Sequence, residues 1–451
     1  MNTNNHHSLC ARVLRWPILA ALLFFSIGST APALAQGITS KDRDRGRVML
    51  TTIKNDIKKE YYDPAFHGID IEARFKQAEE KMNQAESLGQ ILGIVAQVLI
   101  EFDDSHLFFI PPERVTSTEY GWQMQAVGDR CYVTAVKPGS DAEAKSLKVG
   151  DQVFSVDTFR PSRDNLWKLN YLYNVLRPQP GMRVTVASPG GQQRQVDVMA
   201  KTRVGKRVYD LTRSGSGADR ADRIRKAENE DYLNRQRYVS FGDDLFIWKM
   251  PQFDLDEAGV DNMMDKARKH KALVLDLRRN PGGYEVILQR MLSYFLPEDE
   301  KIGDLKRRKE TKPLMVKSRG DRAFKGKLIV LVDSESGSSA EIFARVIQLR
   351  KLGTVIGDRT AGAVMRAKQW DYQLGVDTVA LYGASITDAD VIMSDGKSLE
   401  KVGVTPDELL LPTAADLAAG RDPVLARAAA IAGVKLDPEK AGTFFPIEWR
   451  K

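Results

Sequence analysis

The chain is short of cysteine and histidine. Its 451 residues include only two cysteines and five histidines. Residues 1–35 read as an export leader, so Cys10, His6 and His7 are expected to leave with it. Cys131 alone remains, which excludes an intrachain disulfide even in an oxidising compartment. It sits in an apolar alternating stretch and is expected to be buried, with no histidine nearby for thiol chemistry. No His, Cys or carboxylate spacing matches a metal site. Asp388, Asp390 and Asp395 do not fit a calcium loop and are expected to be loop residues. No metal or other cofactor is therefore expected. Long basic runs are missing too. The +7 net charge, +5 once Arg12 and Arg15 leave, is interspersed with acidic residues and gives no support for nucleic-acid binding.

A membrane-spanning apolar run is also lacking. The one candidate, from about Trp16 to Ile27, is broken by Pro17 and is short for a span. Arg12 and Arg15 precede it, and Ala33-Leu34-Ala35 supplies a small-x-small cleavage site before Gln36. Cys10 has no lipid-attachment context. The expectation is a soluble exported protein, periplasmic or secreted, without stable membrane insertion; a retained N-terminal anchor is the alternative.

What is present suits two or three globular domains, with 43% hydrophobic residues. Residues 41–115 read as a helical N-terminal region. Val48, Leu50, Ile53 and Ile57, then Ile91, Leu92, Val95 and Leu99, recur at helical intervals, and Tyr61-Tyr-Asp-Pro64 makes a turn between them. Residues 116–203 change to short strands separated by turns at Pro138-Gly139, Gly150-Asp151, Pro180-Gly181 and Pro189-Gly-Gly191, with a helical insert near 163–176. Residues 204–244 form a charged connector. Residues 245–435 alternate strand and helix as an α/β core, with the near-continuous apolar strands Ala272–Leu277 and Leu328–Val332 expected to be covered on both faces. Residues 436–451 read as a C-terminal tail.

Chemistry is suggested first by Ser338, in Lys327-Leu-Ile-Val-Leu-Val-Asp-Ser-Glu-Ser-Gly-Ser-Ser-Ala-Glu341. A buried strand passes through a small-residue loop into a helix, whose first N–H groups lack intrahelical partners. A serine there can be a nucleophile beside half an oxyanion hole. Ser338 and Glu341 also have the Ser-x-x-Glu spacing of a capping box, which alone would account for both. A serine nucleophile needs a base. His67 lies in a polar turn, and His270 ends an amphipathic helix between lysines, expected to face solvent. His106 follows Asp103-Asp-Ser105 directly before an apolar run, as at an element edge beside a cleft. Asn280-Pro-Gly-Gly283 is either a plain turn or a place where backbone N–H groups approach a carbonyl closely. Glu400 alone reads as a surface residue.

Taken in order, Tyr61-Tyr-Asp-Pro64, Asp104-Ser-His106, Val274-Leu-Asp-Leu-Arg-Arg-Asn-Pro-Gly-Gly283, Val332–Glu341, Gly357-Asp-Arg-Thr-Ala-Gly362 and Gly403-Val-Thr-Pro-Asp407 resemble the tail-specific, or C-terminal processing, serine proteases, including their tricorn-core branch. The resemblance implies an α/β catalytic core of ClpP–crotonase type, with a helical N-terminal region and an inserted mainly-β PDZ domain. Gly121-Trp122-Gln123-Met124 falls where such a domain captures a peptide carboxylate, although the family loop is richer in glycine. The serine–lysine branch places its lysine where this chain has Ala363, and Lys368 does not match. The serine–histidine–glutamate branch implies Ser338 as nucleophile, His106 as base, and Glu400, directly or through Ser105, as its orienting group. Gly283 and Ser339 N–H would hold the oxyanion, with Gly282 an alternative donor. The expected function is hydrolysis of protein or peptide substrates. The rival is a non-catalytic peptide- or ligand-binding protein on the same fold, with Ser338 only a cap.

Overall fold

The computed structural model describes residues 38–114, 116–204, 233–375 and 380–449. The leader and most of the charged connector (205–232) lie outside the described residues. Three helices, Ser40–Glu60, Ile71–Asn83 and Leu88–Ile100, open the described chain. Each begins at a polar cap: Thr39, Asp70 and Ser87 accept N–H hydrogen bonds through their side chains. Leu50, Ile53 and Ile57 line one fully buried stripe of the first helix. Tyr61, extended at ψ 133°, ends that helix ahead of Pro64. A short strand, β1 (Phe108–Ile110), follows.

A smaller unit is built from β2 (Thr116–Glu119), β3 (Trp122–Val127), β4 (Arg130–Val136), β5 (Gln152–Val156), β6 (Gly181–Ala187), β7 (Arg194–Met199) and β8 (Lys201–Val204). Strands β3 to β7 form one antiparallel sheet in sequence order, and β2 pairs with β8. The helix Leu166–Tyr171 packs Leu166 and Leu169 into the core beneath this sheet, with Val133, Val184 and Val198. Cys131 is buried there and free.

The central sheet contains β9 (Arg237–Phe241), β10 (Leu245–Lys249), β11 (Ala272–Asp276), β14 (Lys327–Val332), β15 (Thr354–Gly357) and β18 (Glu408–Leu409), in the order β18-β15-β14-β11-β10-β9. All neighbours are parallel except β9, which closes the edge antiparallel to β10. The continuous apolar runs are explained by burial of both faces. Phe246, Trp248, Leu273, Leu275, Val330 and Val332 meet the helices Glu257–Ala267, Glu285–Leu292 and Ser339–Leu349. Ile247, Val274, Ile329 and Leu331 meet the helix Pro423–Ile431. The tail is not peripheral: Leu436, Ala441, Phe444 and Phe445 pack against this second face, and β9 rises from the segment read as connector.

A second sheet was not expected. It joins β12 (Glu300–Arg307), β13 (Thr311–Val316), β16 (Met365–Leu374) and β17 (Ala380–Met393) to β1, all antiparallel. Tyr382, Ala384 and Ile386 of β17 pack into the core of the N-terminal helices. Asp388 and Asp390 are therefore strand residues, not loop residues. Asp388 is buried because Arg366 pairs with it at 2.7 Å and Arg307 at 3.7 Å. His270 is half-buried against Phe246, its Nδ1 3.0 Å from the Lys266 carbonyl, rather than facing solvent.

Candidate active site

Neighbouring parallel strands β11 and β14 end side by side, so the loops leaving their carboxyl ends meet. One loop carries Asn280-Pro-Gly-Gly283, the other Ser334 to Ser338. Fully buried Asn280 ties the two together. Its Nδ2 donates to the Met250 carbonyl, its Oδ1 accepts from Gly282 N–H, and its carbonyl accepts from Gly337 N–H, each at 2.9 Å. Approach is so close that a Cβ on Gly282 would lie 2.6 Å from Ser338 Cβ.

Ser338 has φ 52° and ψ −118°, a sparsely populated conformation for a residue with a Cβ. Such strain costs about 1–3 kcal/mol and persists where surroundings impose it. Here the Ser338 N–H is held by the Ala363 carbonyl at 2.9 Å and by Glu341 Oε2 at 3.0 Å. The Ser339 N–H, first in its helix, and the Gly283 N–H donate no hydrogen bond among the described residues. Ser339 Oγ donates to the Gly283 carbonyl at 3.0 Å, which keeps these two free donors adjacent. Gly282 differs: its N–H is already taken by Asn280.

His106 stands on the loop entering β1. Buried Asp104 fixes that loop by accepting from the His106 N–H (2.8 Å), Tyr61 Oη (2.9 Å) and Thr387 Oγ1 (2.8 Å). Ser105 Oγ lies 2.7 Å from His106 Nδ1 and donates to Glu400 Oε2 at 2.8 Å. Ser105 N–H donates to Glu400 Oε1 at 3.0 Å, and Val364 N–H to Oε2 at 2.8 Å. Ser105 has one hydroxyl proton, and it is committed to Glu400. The hydroxyl oxygen must then accept from His106 Nδ1–H, which leaves Nε2 with a free lone pair. Burial lowers the His106 pKa against the opposing pull of Asp104, and burial raises that of Glu400 against its donors.

The two halves meet at one dipeptide. Ala363 C=O receives the Ser338 N–H while the next N–H, of Val364, goes to Glu400. Among the described residues no hydrogen bond joins Ser338 Oγ to His106, a contact that in an unliganded site often forms only with substrate. Lys368 is half exposed on β16, its Nζ 3.9 Å from Asp388. No group of three or more His, Cys, Asp or Glu able to hold a metal occurs among the described residues.

Gly121, Trp122, Gln123 and Met124 lie together at the start of β3, lining a cavity of about 390 Å³ with Leu169 and Tyr173. The same strand touches the loop before Ser338. Gln125 Nε2 donates to Asp333 Oδ2 at 2.6 Å, Arg279 Nη2 donates to Gln123 Oε1 at 2.5 Å, and Arg279 pairs with Glu335 at 3.0 Å. Val364 and the depth of Glu341 were not singled out from sequence, and Asn280 and Thr360 entered only as members of the glycine-turn motifs, with no role assigned. The only trace of Val364 there was its adjacency to a glycine turn.

Residues 246–410 match peptidase family S41. The chain is 22% identical over 391 residues to the tail-specific protease of Haemophilus influenzae, covering 81% of this chain and 52% of that protein. It is 24% identical over 400 residues to putative tricorn protease homolog 2 of Streptomyces coelicolor, covering 83% and 31%. It is 23% identical over 408 residues to the chloroplastic C-terminal processing peptidase of Tetradesmus obliquus, covering 84% and 79%. The chain thus spans about half the length of the first relative and about a third of the second. Mature CPAF shares the fold at a TM-score of 0.62 and 16% identity, over 84% of this chain and 94% of that one. No described helix is long and apolar enough to cross a membrane. Residues 246–410 thus carry the match to peptidase family S41, and most of the chain is similar in sequence to tail-specific and carboxy-terminal processing proteases.

Proposed function

We propose that this protein is an exported serine endopeptidase that uses a serine–histidine–glutamate arrangement. The observation that carries the reading is the chain Glu400–Ser105–His106, joined through Ala363–Val364 to strained Ser338. His106 Nε2 takes the Ser338 hydroxyl proton as Oγ attacks the scissile carbonyl. The tetrahedral oxyanion accepts from the Gly283 and Ser339 N–H groups. On collapse, the C–N bond breaks and His106 returns the proton to the leaving amine. Water then repeats the sequence on the acyl-enzyme, with His106 again as base. Glu400, through Ser105, stabilises the imidazolium that forms in each half-reaction.

The unit 116–203 is read as a PDZ domain. A substrate's C-terminal segment would add beside β3, with its carboxylate at Gly121–Met124. The contacts of Gln123 and Gln125 with Arg279 and Asp333 support a gating role for it. The leader residues 1–35 support export to the periplasm or beyond.

The test is labelling with a fluorophosphonate probe. Wild type is expected to label at Ser338, and both Ser338→Ala and His106→Ala to lose labelling while keeping their fold. Folded wild type that stays unlabelled, with and without an added C-terminal peptide, would favour the binding-protein reading instead.

A further inference from the structure

An ordinary capping-box glutamate lies on the surface and takes one N–H, that of the N-cap. Glu341 does something else. It is fully buried, and both of its oxygens are engaged. Oε1 accepts from Thr360 Oγ1 at 2.5 Å and Gly362 N–H at 2.8 Å. Oε2 accepts from Ala363 N–H at 2.9 Å and Ser338 N–H at 3.0 Å. Three of these four donors lie in the turn Gly357–Gly362 and the residue after it, more than eighteen positions along the chain. Thr360 is itself fixed, its Oγ1 accepting from Val404 N–H at 2.6 Å.

We propose that Glu341 is a positioning residue for the serine chemistry, its carboxylate clamping the Ser338 N–H to the Ala363–Val364 dipeptide and so setting the nucleophile against the histidine limb. This rests on the serine-peptidase reading above. The dipeptide is gripped by two carboxylates. Glu341 holds Ala363 N–H from the nucleophile side, and Glu400 holds Val364 N–H from the base side. Ala363 C=O returns to Ser338 N–H. A slip of either carboxylate would change the spacing of Ser338 from His106 without touching either side chain, and a displacement near 1 Å is enough to slow such chemistry by about a hundredfold.

The ionised form suits this cage best, since it accepts from all four donors at once. A protonated carboxyl would have to turn its own hydrogen toward one of the three N–H groups or force the Thr360 hydroxyl to reorient and accept. Burial works against ionisation and pushes the Glu341 pKa up to about 7. The groups hydrogen-bonded to Glu341, Ser338, Thr360, Gly362 and Ala363, are neutral, and the hydrogen bonds lead on through Val364 to the titratable Glu400 and, by way of Ser105, to His106. The clamp should therefore tighten as pH rises through about 7.

The test measures the second-order rate of fluorophosphonate labelling from pH 5 to 9 for wild type, Glu341→Gln, Thr360→Val and Ser338→Ala, each checked by circular dichroism. Glu341→Gln is expected to label about 30–300-fold more slowly, and Thr360→Val about 3–10-fold more slowly. The limb near pH 7 should vanish in Glu341→Gln and move upward in Thr360→Val, which removes a donor to the ionised form. A folded Glu341→Gln variant labelling at the wild-type rate overturns the proposal. So does slowing that is uniform across pH with that limb intact, which is what a purely structural role would produce. If Glu341→Gln does not fold, Thr360→Val decides: an unchanged rate and limb refute the clamp. Wild type that labels no better than Ser338→Ala refutes the serine reading itself, and the clamp with it.

Discussion

Replacing Ser105 by alanine removes one oxygen and breaks two hydrogen bonds, to Glu400 Oε2 at 2.8 Å and to His106 Nδ1 at 2.7 Å. Glu400 would stay in place, because Ser105 N–H and Val364 N–H still hold it. The loss falls on His106. In the resting site its Nδ1–H would lose the Ser105 hydroxyl as acceptor. In the transition state, where the ring is charged, that bond is charge-assisted and worth about 1.5–3 kcal/mol. The expected fall in kcat/KM is then about 10–150-fold. It should appear in kcat, with KM little changed, since the interaction strengthens only as the imidazolium forms. The pH dependence gives a second check. Burial already holds the His106 pKa below its usual value near 6.5. Losing the acceptor removes support for the cation and moves the midpoint further down. The His106 limb should move to lower pH than in wild type while the Glu341 limb near 7 stays in place, and the plateau should be much lower. The assay is steady-state hydrolysis of a quenched fluorescent peptide across pH 5 to 9. A variant within twofold of wild type, a loss confined to KM, or a midpoint that rises would refute the relay through Ser105.

Three further outcomes are expected. Gly282→Ala would place a Cβ 2.6 Å from Ser338 Cβ and 2.9 Å from the Gly337 carbonyl at a φ of +102°; it should destabilise by about 1–3 kcal/mol and cut kcat at least about tenfold, read by thermal melting and peptide hydrolysis. Lys368→Ala should leave kcat/KM within about twofold, because the proposed base is His106 and Lys368 is half exposed beside Asp388; a loss of two orders of magnitude would overturn the histidine assignment. Arg163→Ala should destabilise by about 3–5 kcal/mol in urea unfolding, since it strips the buried Asp358 of its ion-pair partner and the Gly128 and Arg359 carbonyls of a donor.

The parallel sheet was legible because strands covered on both faces must be apolar at every position, as in Ala272–Asp276 and Lys327–Val332. The second sheet was not. Met365–Leu374 mixes Arg, Lys, Gln and Asp with aromatics, since much of its surface stays in solvent, and its neighbour β17 pairs onward with β1 nearly three hundred residues earlier. Asp388 looked like a loop residue because the arginines that neutralise it, Arg307 and Arg366, come from two other strands. At the site, local pattern indicated Ser338 and the glycines, and motif order indicated His106 and Glu400. Which glycine N–H remains free depends on Asn280 reaching back to Gly282, a side-chain choice that the turn sequence does not specify. Glu341 passed as a cap because its local spacing is that of one. Its burial comes from the Thr360–Ala363 turn folding over it.

The surroundings of Ala363 bear on the proposed choice of base. Its N–H is held by Glu341 and its carbonyl by Ser338, so its backbone is fixed between nucleophile and histidine limb, and its side chain ends at a methyl group. A lysine base near neutral pH needs desolvation to give up its proton, and Lys368 is half exposed. A histidine needs no such burial to act as a base at neutral pH. Its ordinary pKa already lies near the working range, and what it needs is orientation and a stabilised cation. On the proposed reading, Asp104 would supply the first through the His106 N–H, and Ser105 backed by Glu400 would supply the second through Nδ1. The same dipeptide that leaves no amine at residue 363 donates the Val364 N–H that fixes Glu400. On the proposed reading, absence of the lysine and presence of the relay are linked features of one loop, and both would have to change together for this site to work through a serine–lysine pair.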